Sequence, residues 1–166
     1  MSKGFAVTFL IGLLVIGAAV WAVFYKQEGA HIDPKGSILK VRTLKLDDNS
    51  SAAVAEVRLT NDADYPLIVR SIEASAVTRK SDVPGNIVAE VDVKDLFKNF
   101  PLLGEQYNPV LKAREKVPPH GSVDREVCAQ FPVPLADLDS RKDMIVKVED
   151  ITGPTAEMHE KLRPKP

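Results

Sequence analysis

The sequence predicts a mainly β protein: a sandwich of short strands behind an N-terminal apolar helix, with one short helix inserted. Three observations carry this. Residues 5–25, FAVTFLIGLLVIGAAVWAVFY, hold no charged residue. Beyond them, apolar and polar residues alternate with a period of two in several short runs, the pattern of strands buried on one face. Clusters of Gly, Pro, Asn, Asp and Ser punctuate those runs and mark turns.

The apolar run comes first. A helix of about 20 residues spans roughly 30 Å, the thickness of a bilayer's hydrocarbon core. Phe5, Leu10, Leu14, Trp21 and Tyr25 are the expected anchor residues, with Trp21 and Tyr25 at headgroup level. Lys3 and Lys26 bracket the run. A cleavable signal peptide is the competing reading, with Val20-Trp21-Ala22 as a cut site, but the run outlasts the usual apolar region of about 7–15 residues. Gly17, Ala18 and Ala22 put small residues near one face, where another helix or lipid would lie. Lys26, Lys35 and Lys40 weigh against a cytoplasmic N-terminus, yet long folded segments translocate largely regardless of charge. The expectation is a short cytoplasmic N-terminus and an extracytoplasmic domain. The organisation reads as anchor over 1–25, linker over 26–37, sandwich over 38–152 and polar tail over 153–166. The linker, extended, reaches about 35–40 Å at most.

Within the sandwich, Leu39 and Val41 alternate with Lys40 and Arg42. Leu44 and Leu46 follow with the parity shifted, which predicts a bulge near Thr43. Residues 47–51 are a turn, and Ala53, Ala55, Val57 and Leu59 line one face of the next strand, opposite Glu56, Arg58 and Thr60. The stretch 61–64, Asn-Asp-Ala-Asp, is a second turn. Pro66 opens the following strand, where a missing donor is tolerated. Leu67 and Val69 are buried there, then Ile72, Ala74 and Ala76 after a parity shift at Arg70-Ser71. Residues 78–86 read as a loop and 87–91 as a short strand. Val93, Leu96, Phe97 and Phe100 recur at helical spacing before Pro101, a helix of about two turns. Residues 110–117 read as a strand and 118–122 as a turn. Val123, Val127, Ala129 and Phe131 share one strand face, opposite Asp124, Glu126, Cys128 and Gln130. A helical turn over 134–140 leads to a last strand carrying Met144, Val146 and Val148. The tail from Gly153 reads as polar and briefly helical. About six or seven such strands argue for an immunoglobulin- or fibronectin-III-like sandwich.

Asn61, then Pro66-Leu67-Ile68-Val69, then Ile72 resemble the N-x-x-x-x-P-L-x-V-x-x-I core of the water-stress and hypersensitive-response (WHy) domain of late-embryogenesis-abundant group 2 proteins. The turn Val117-Pro118-Pro119-His120-Gly121-Ser122 resembles that family's proline-glycine turn. The resemblance, shared with bacterial immunoglobulin-like modules, covers about Ile38 to Ile151. It implies a sandwich behind a membrane helix and a non-enzymatic role. Asn61-Asp62-Ala63 departs from the family's Asn-Pro-Asn, and Thr78 to Lys116 is longer than its pattern.

Composition narrows the function. With 166 residues and a formal net charge of -1, nothing points to nucleic acid. Cys128 is the only cysteine, so no intramolecular disulfide forms and the fold rests on its core. On the polar side of its strand it is expected to be half-buried and quiet, or partly exposed. His31, His120 and His159 lack ligand spacing to one another or to Cys128. Asp47-Asp48-Asn49 and Asp62-Ala63-Asp64 carry oxygens of the kind calcium takes, but without a calcium loop's Gly and Glu they read as turn chemistry. Asn49-Ser50-Ser51 fits a glycosylation acceptor. No nucleophile elbow, phosphate loop or zinc-protease motif occurs. No catalytic residue, cofactor or metal is assigned.

Two readings of Val93–Leu103 are open. It caps the open end of the sandwich, or Leu96, Phe97, Phe100, Leu102 and Leu103 form a docking patch for a partner or the nearby bilayer. Lys40, Arg42 and Lys45 read as a solvated face or as a basic stripe towards lipid headgroups. The expected function is a membrane-anchored binding or structural module, an accessory subunit of a membrane or envelope complex, in contact with the bilayer and a protein partner. The alternative is a stress-protective or lipid-associated protein of the WHy type.

Overall fold

The computed structural model describes residues 3–27 and 33–160, with helix side chains described at Gly4 and over 9–22. The chain divides between His31 and Ile32 into two units.

The first unit is one helix, α1, Lys3–Gln27. From Phe9 to Ala22 every described side chain is apolar or glycine and every one is exposed. Among the described residues, no helix is long and apolar enough to cross a membrane. The side chains of the expected anchors Phe5 and Tyr25 lie outside the described residues, whereas Leu10, Leu14 and Trp21 are exposed.

The second unit is a β-sandwich. Its strands are β1 (Lys35–Lys45), β2 (Ser51–Asn61), β3 (Leu67–Val77), β4 (Asp82–Ile87), β5 (Lys116–Val117), β6 (Gly121–Phe131), β7 (Asp143–Asp150) and β8 (Thr155–His159). Hydrogen bonds join them along the path β1-β2-β6-β4-β3-β7-β8, with β5 on β3. Strand β4 folds this path into two layers. Its residues 82–85 pair with β3, and Asn86 and Ile87 pair with β6. The main core lies between the layers: Val57, Leu59 and Phe131 from β2 and β6 meet Leu67, Val69, Val146 and Val148 from β3 and β7. The expected inner faces of β2, β3, β6 and β7 are therefore the faces observed.

The register departs from expectation in one strand and meets it in another. In β3 the shift falls between Val69 and Ser71, where the parity change placed it. In β1 it falls at Leu39, between Ile38 and Lys40, and not near Thr43. The parity change from Val41 to Leu44 has another origin: Val41 packs on the main core, while Leu44 and Leu46 belong to a second core on the opposite face of the sheet.

Three further expectations are corrected. Residues 78–86 are not all loop, and 87–91 is not a strand, because β4 occupies 82–87 and helix α2 (Glu90–Asn99) starts soon after. Pro84 and Gly85 read as a turn because they sit where β4 bends between layers. A Cβ on Gly85 would come 2.7 Å from the Phe131 ring, so the backbone there must approach closely. Residues 110–117 are not a continuous strand. Arg114 adopts φ 64°, and this segment passes from β6, through Glu126 N–H to Pro109 O (3.0 Å), to β3, through Val69 N–H to Glu115 O (2.9 Å). The stretch after Gly153 is a strand, not a helical tail: β8 buries Ala156 and Met158. The β structure thus runs from Lys35 to His159, wider than 38–152. Helix α3 (Leu135–Asp139) is the expected single turn.

Two buried polar side chains hold the connections at one end. Asn61 donates from Nδ2 to the carbonyls of Tyr65 (2.7 Å), Val117 (3.2 Å) and Pro118 (3.2 Å), and Oδ1 accepts from Ala63 N–H (3.1 Å). It ties the β2–β3 turn to the β5–β6 turn. Asp150 accepts from Ile68 N–H at 2.7 Å, Thr152 N–H at 2.8 Å and the Thr152 hydroxyl.

Candidate functional site

The outer face of the β1-β2-β6 layer is where the chain concentrates buried charge. Past β4, the backbone leaves β6 at Val88, whose N–H donates to Cys128 O (2.9 Å). It forms α2 and a 3-10 turn over Pro101–Leu103, then returns to β6 at Pro109. This excursion covers the sheet. Beneath it lie Leu44, Val54 and Cys128, met from above by Val93 and Leu103, all buried, with Leu96, Phe97 and Phe100 partly buried. The helix forms because Val93, Leu96, Phe97 and Phe100 share a face. It ends at Phe100, ahead of Pro101.

Of the five predicted docking residues, Leu103 is buried, Leu96, Phe97 and Phe100 face the second core, and Leu102 is 97% exposed. The segment is a cap, but on the outer face of one layer and not on the open end of the sandwich. Leu102 and Val91 are the exposed apolar side chains on the excursion's helical part.

Beside this second core sits a charged cluster. Glu56 and Glu126 are direct partners across the β2–β6 ladder, so both carboxylates project to the same face. Two like charges placed so repel. Arg42, on β1, answers them: its Nη2 lies 2.8 Å from Glu126 Oε1 and 3.4 Å from Glu56 Oε1. The second distance suits charge attraction but is not aligned as a hydrogen bond, and Glu56 Oε1, Glu126 Oε2 and Arg42 Nε are buried without hydrogen-bond partners. Nη1 of Arg42 donates to the carbonyls of Leu103 (2.7 Å) and Glu105 (2.8 Å). Glu126 Oε1 also accepts from Tyr107 N–H (3.0 Å) and Asn108 N–H (3.4 Å). The guanidinium stacks against Phe97, 5.2 Å from the ring centre, and Tyr107, 5.1 Å away. Arg42 is therefore not part of a basic stripe. It is held in the fold, while Lys40 lies over Tyr107 and Lys45 pairs with Asp48.

The alternation placed Glu56 and Glu126 on this face, but read the face as solvated. The signal that it is covered was the second apolar set on the same parity, Leu44, Leu46, Val54 and Cys128. Cys128 is 1% exposed, correcting the expectation of partial exposure. Burial, with the Glu126 charge adding, pushes its thiol up to about 12, so it is protonated and inert when covered.

Elsewhere the candidate ligands stand apart. His120 contacts Asp64 (2.8 Å) and His159 contacts Asp143 (2.6 Å), while His31 lies outside the described residues. Asp47 takes hydrogen bonds from Asn49 N–H (2.7 Å) and the Ser50 hydroxyl (2.5 Å), as a turn residue does. Among the described residues no three His, Cys, Asp or Glu side chains gather as metal ligands.

No family model and no curated protein matches the chain. Among solved structures, an uncharacterized beta-sandwich protein from Clostridium difficile 630 is similar at 11% identity and a TM-score of 0.35, over 79% of this chain and 82% of that one.

Proposed function

We propose that the chain is a single-pass membrane protein whose sandwich serves outside the cytoplasm as a non-enzymatic binding or structural module, an accessory subunit of a membrane or envelope complex. One observation carries the reading. Helix α1 exposes apolar side chains on every side from Phe9 to Ala22, a surface suited to lipid or to a protein core and not to water. The uncharged sequence around it, 5–25, has the length of a span. The binding role draws support from Leu102, which leaves an apolar side chain in solvent on the covering excursion.

Membranes from cells expressing the full chain test this. The protein is expected to stay in the pellet after alkaline carbonate washing and to be digested by protease added from outside. Leu14→Arg, which costs about 2.5–3.5 kcal/mol in the middle of a span, is expected to shift it to the supernatant. Stoichiometric co-purification in mild detergent, reduced in Leu102→Asp, would identify the partner. Release of the wild-type chain by carbonate overturns the anchor.

A WHy-type protective or lipid-associated role is the second reading. The observation in its favour is Asn61, whose buried amide network ties down the same segment as the Asn…Pro-Leu motif. A chain that purifies alone and preserves a test enzyme through drying would favour it.

A further inference from the structure

We propose that residues 89–108 are a lid that opens from the outer face of the sheet as one unit, with the sandwich beneath intact, and that the Arg42–Glu126 pair is its latch. The proposal rests on the hydrogen-bond map and does not depend on a membrane anchor or a partner.

Four observations meet here. First, both ends of the segment are fixed to one strand: Val88 N–H bonds Cys128 O and Pro109 O takes Glu126 N–H. The lid can therefore swing away while its attachment points stay in the ladder, and no other strand has to part. Second, its apolar contacts form a cluster separate from the main core. From α2 and the 3-10 turn only Val93 and Leu103 are buried in it. Cooperative opening of a unit is set by how much that unit buries, and here Leu96, Phe97 and Phe100 are covered only in part. Third, the hydrogen-bonded attachments converge on two side chains, while the helical limb adds only the exposed Lys112–Glu90 ion pair at 3.6 Å. Arg42 holds the carbonyls of Leu103 and Glu105, and Glu126 holds the N–H groups of Tyr107 and Asn108. All four anchor points fall in the returning limb, so the latch grips one side. Gly104, at φ 78°, is the left-handed residue within that gripped segment. Fourth, the latch is incompletely satisfied. Glu126 Oε2, Glu56 Oε1 and Arg42 Nε are buried without hydrogen-bond partners with the lid closed, and opening would give each of them water.

The chain carries its own reporter. Cys128 is the only cysteine and lies under the lid. With its thiol pushed up to about 12 in the closed state, it reacts with a disulfide reagent only when uncovered, its thiolate attacking the reagent and releasing the reagent's own thiolate.

The test is Cys128 labelling of the full chain by an aromatic disulfide, across denaturant concentrations below the unfolding transition, beside amide hydrogen exchange. Wild-type labelling is expected to be at least about tenfold faster than whole-domain unfolding allows and to depend only weakly on denaturant. Amides of 93–108 should exchange in step with it, well before those of β2 and β6. Arg42→Met, which leaves two facing carboxylates uncompensated, should speed labelling by about a hundredfold. If labelling and β2–β6 exchange share one rate and one denaturant slope, the lid does not exist. If Arg42→Met fails to fold, the wild-type comparison alone decides. Should Arg42→Met fold and label at the wild-type rate, the latch assignment falls.

Discussion

Asn61 ties two turns together through one side chain. It is fully buried, and its amide satisfies three carbonyls and one N–H from two turns. Asn61→Ala would leave those groups buried and unpaired, at about 1–3 kcal/mol for such a loss. Asn61→Asp should be worse, since a carboxylate would face three carbonyl oxygens. Chemical denaturation of both variants checks the order. Asp150 makes a pH prediction. Burial pushes its carboxyl up, but hydrogen bonds from the Thr152 side chain and from the N–H groups of Thr152, Ile68 and Ile151 outweigh it and hold the group below its ordinary value. A carboxyl depressed in the folded state stabilises above its unfolded value, about 3.9, and loses that stability as pH falls through the folded value. Acid titration of the wild type should therefore show a loss of stability beginning below about pH 5, and Asp150→Asn should flatten that slope while lowering stability at neutral pH.

At the scale of elements, the strands of the two long alternating patterns were legible in the sequence because burial on one face leaves a period of two. The inner faces of β2 and β6 follow it, with Val57, Leu59, Val127 and Phe131 in the main core. What the pattern misread has physical causes. A period of two shows which residues share a face, not whether that face is wet, so Glu56 and Glu126 looked solvated although the excursion covers them. Strand β4 escaped because Pro84 and Gly85 are turn residues elsewhere and a crossing point here. Strand β8 escaped because Ala156 and Met158 offer only two apolar positions among Thr155, Glu157 and His159. Both buried residues face the main core. Met158→Ala is therefore expected to cost about 2–5 kcal/mol, whereas a frayed tail would lose almost nothing. Thermal melting of that variant separates the two.

The whole molecule joins an apolar helix to a domain with two cores of unequal depth. Truncations in them should differ. Phe131→Ala, at the fully buried centre of the main core, should cost about 3–5 kcal/mol. Phe97→Ala, in the partly exposed second core, should cost less and act first on the returning loop through Arg42. Urea unfolding of the pair measures the difference. One feature of the path bears on how the domain comes apart. Because β4 gives its first residues to one layer and its last to the other, neither layer can slide or peel without tearing the strand that belongs to both. Heat or urea should then dismantle the β-structure in a single concerted transition, with calorimetric and van't Hoff enthalpies in agreement.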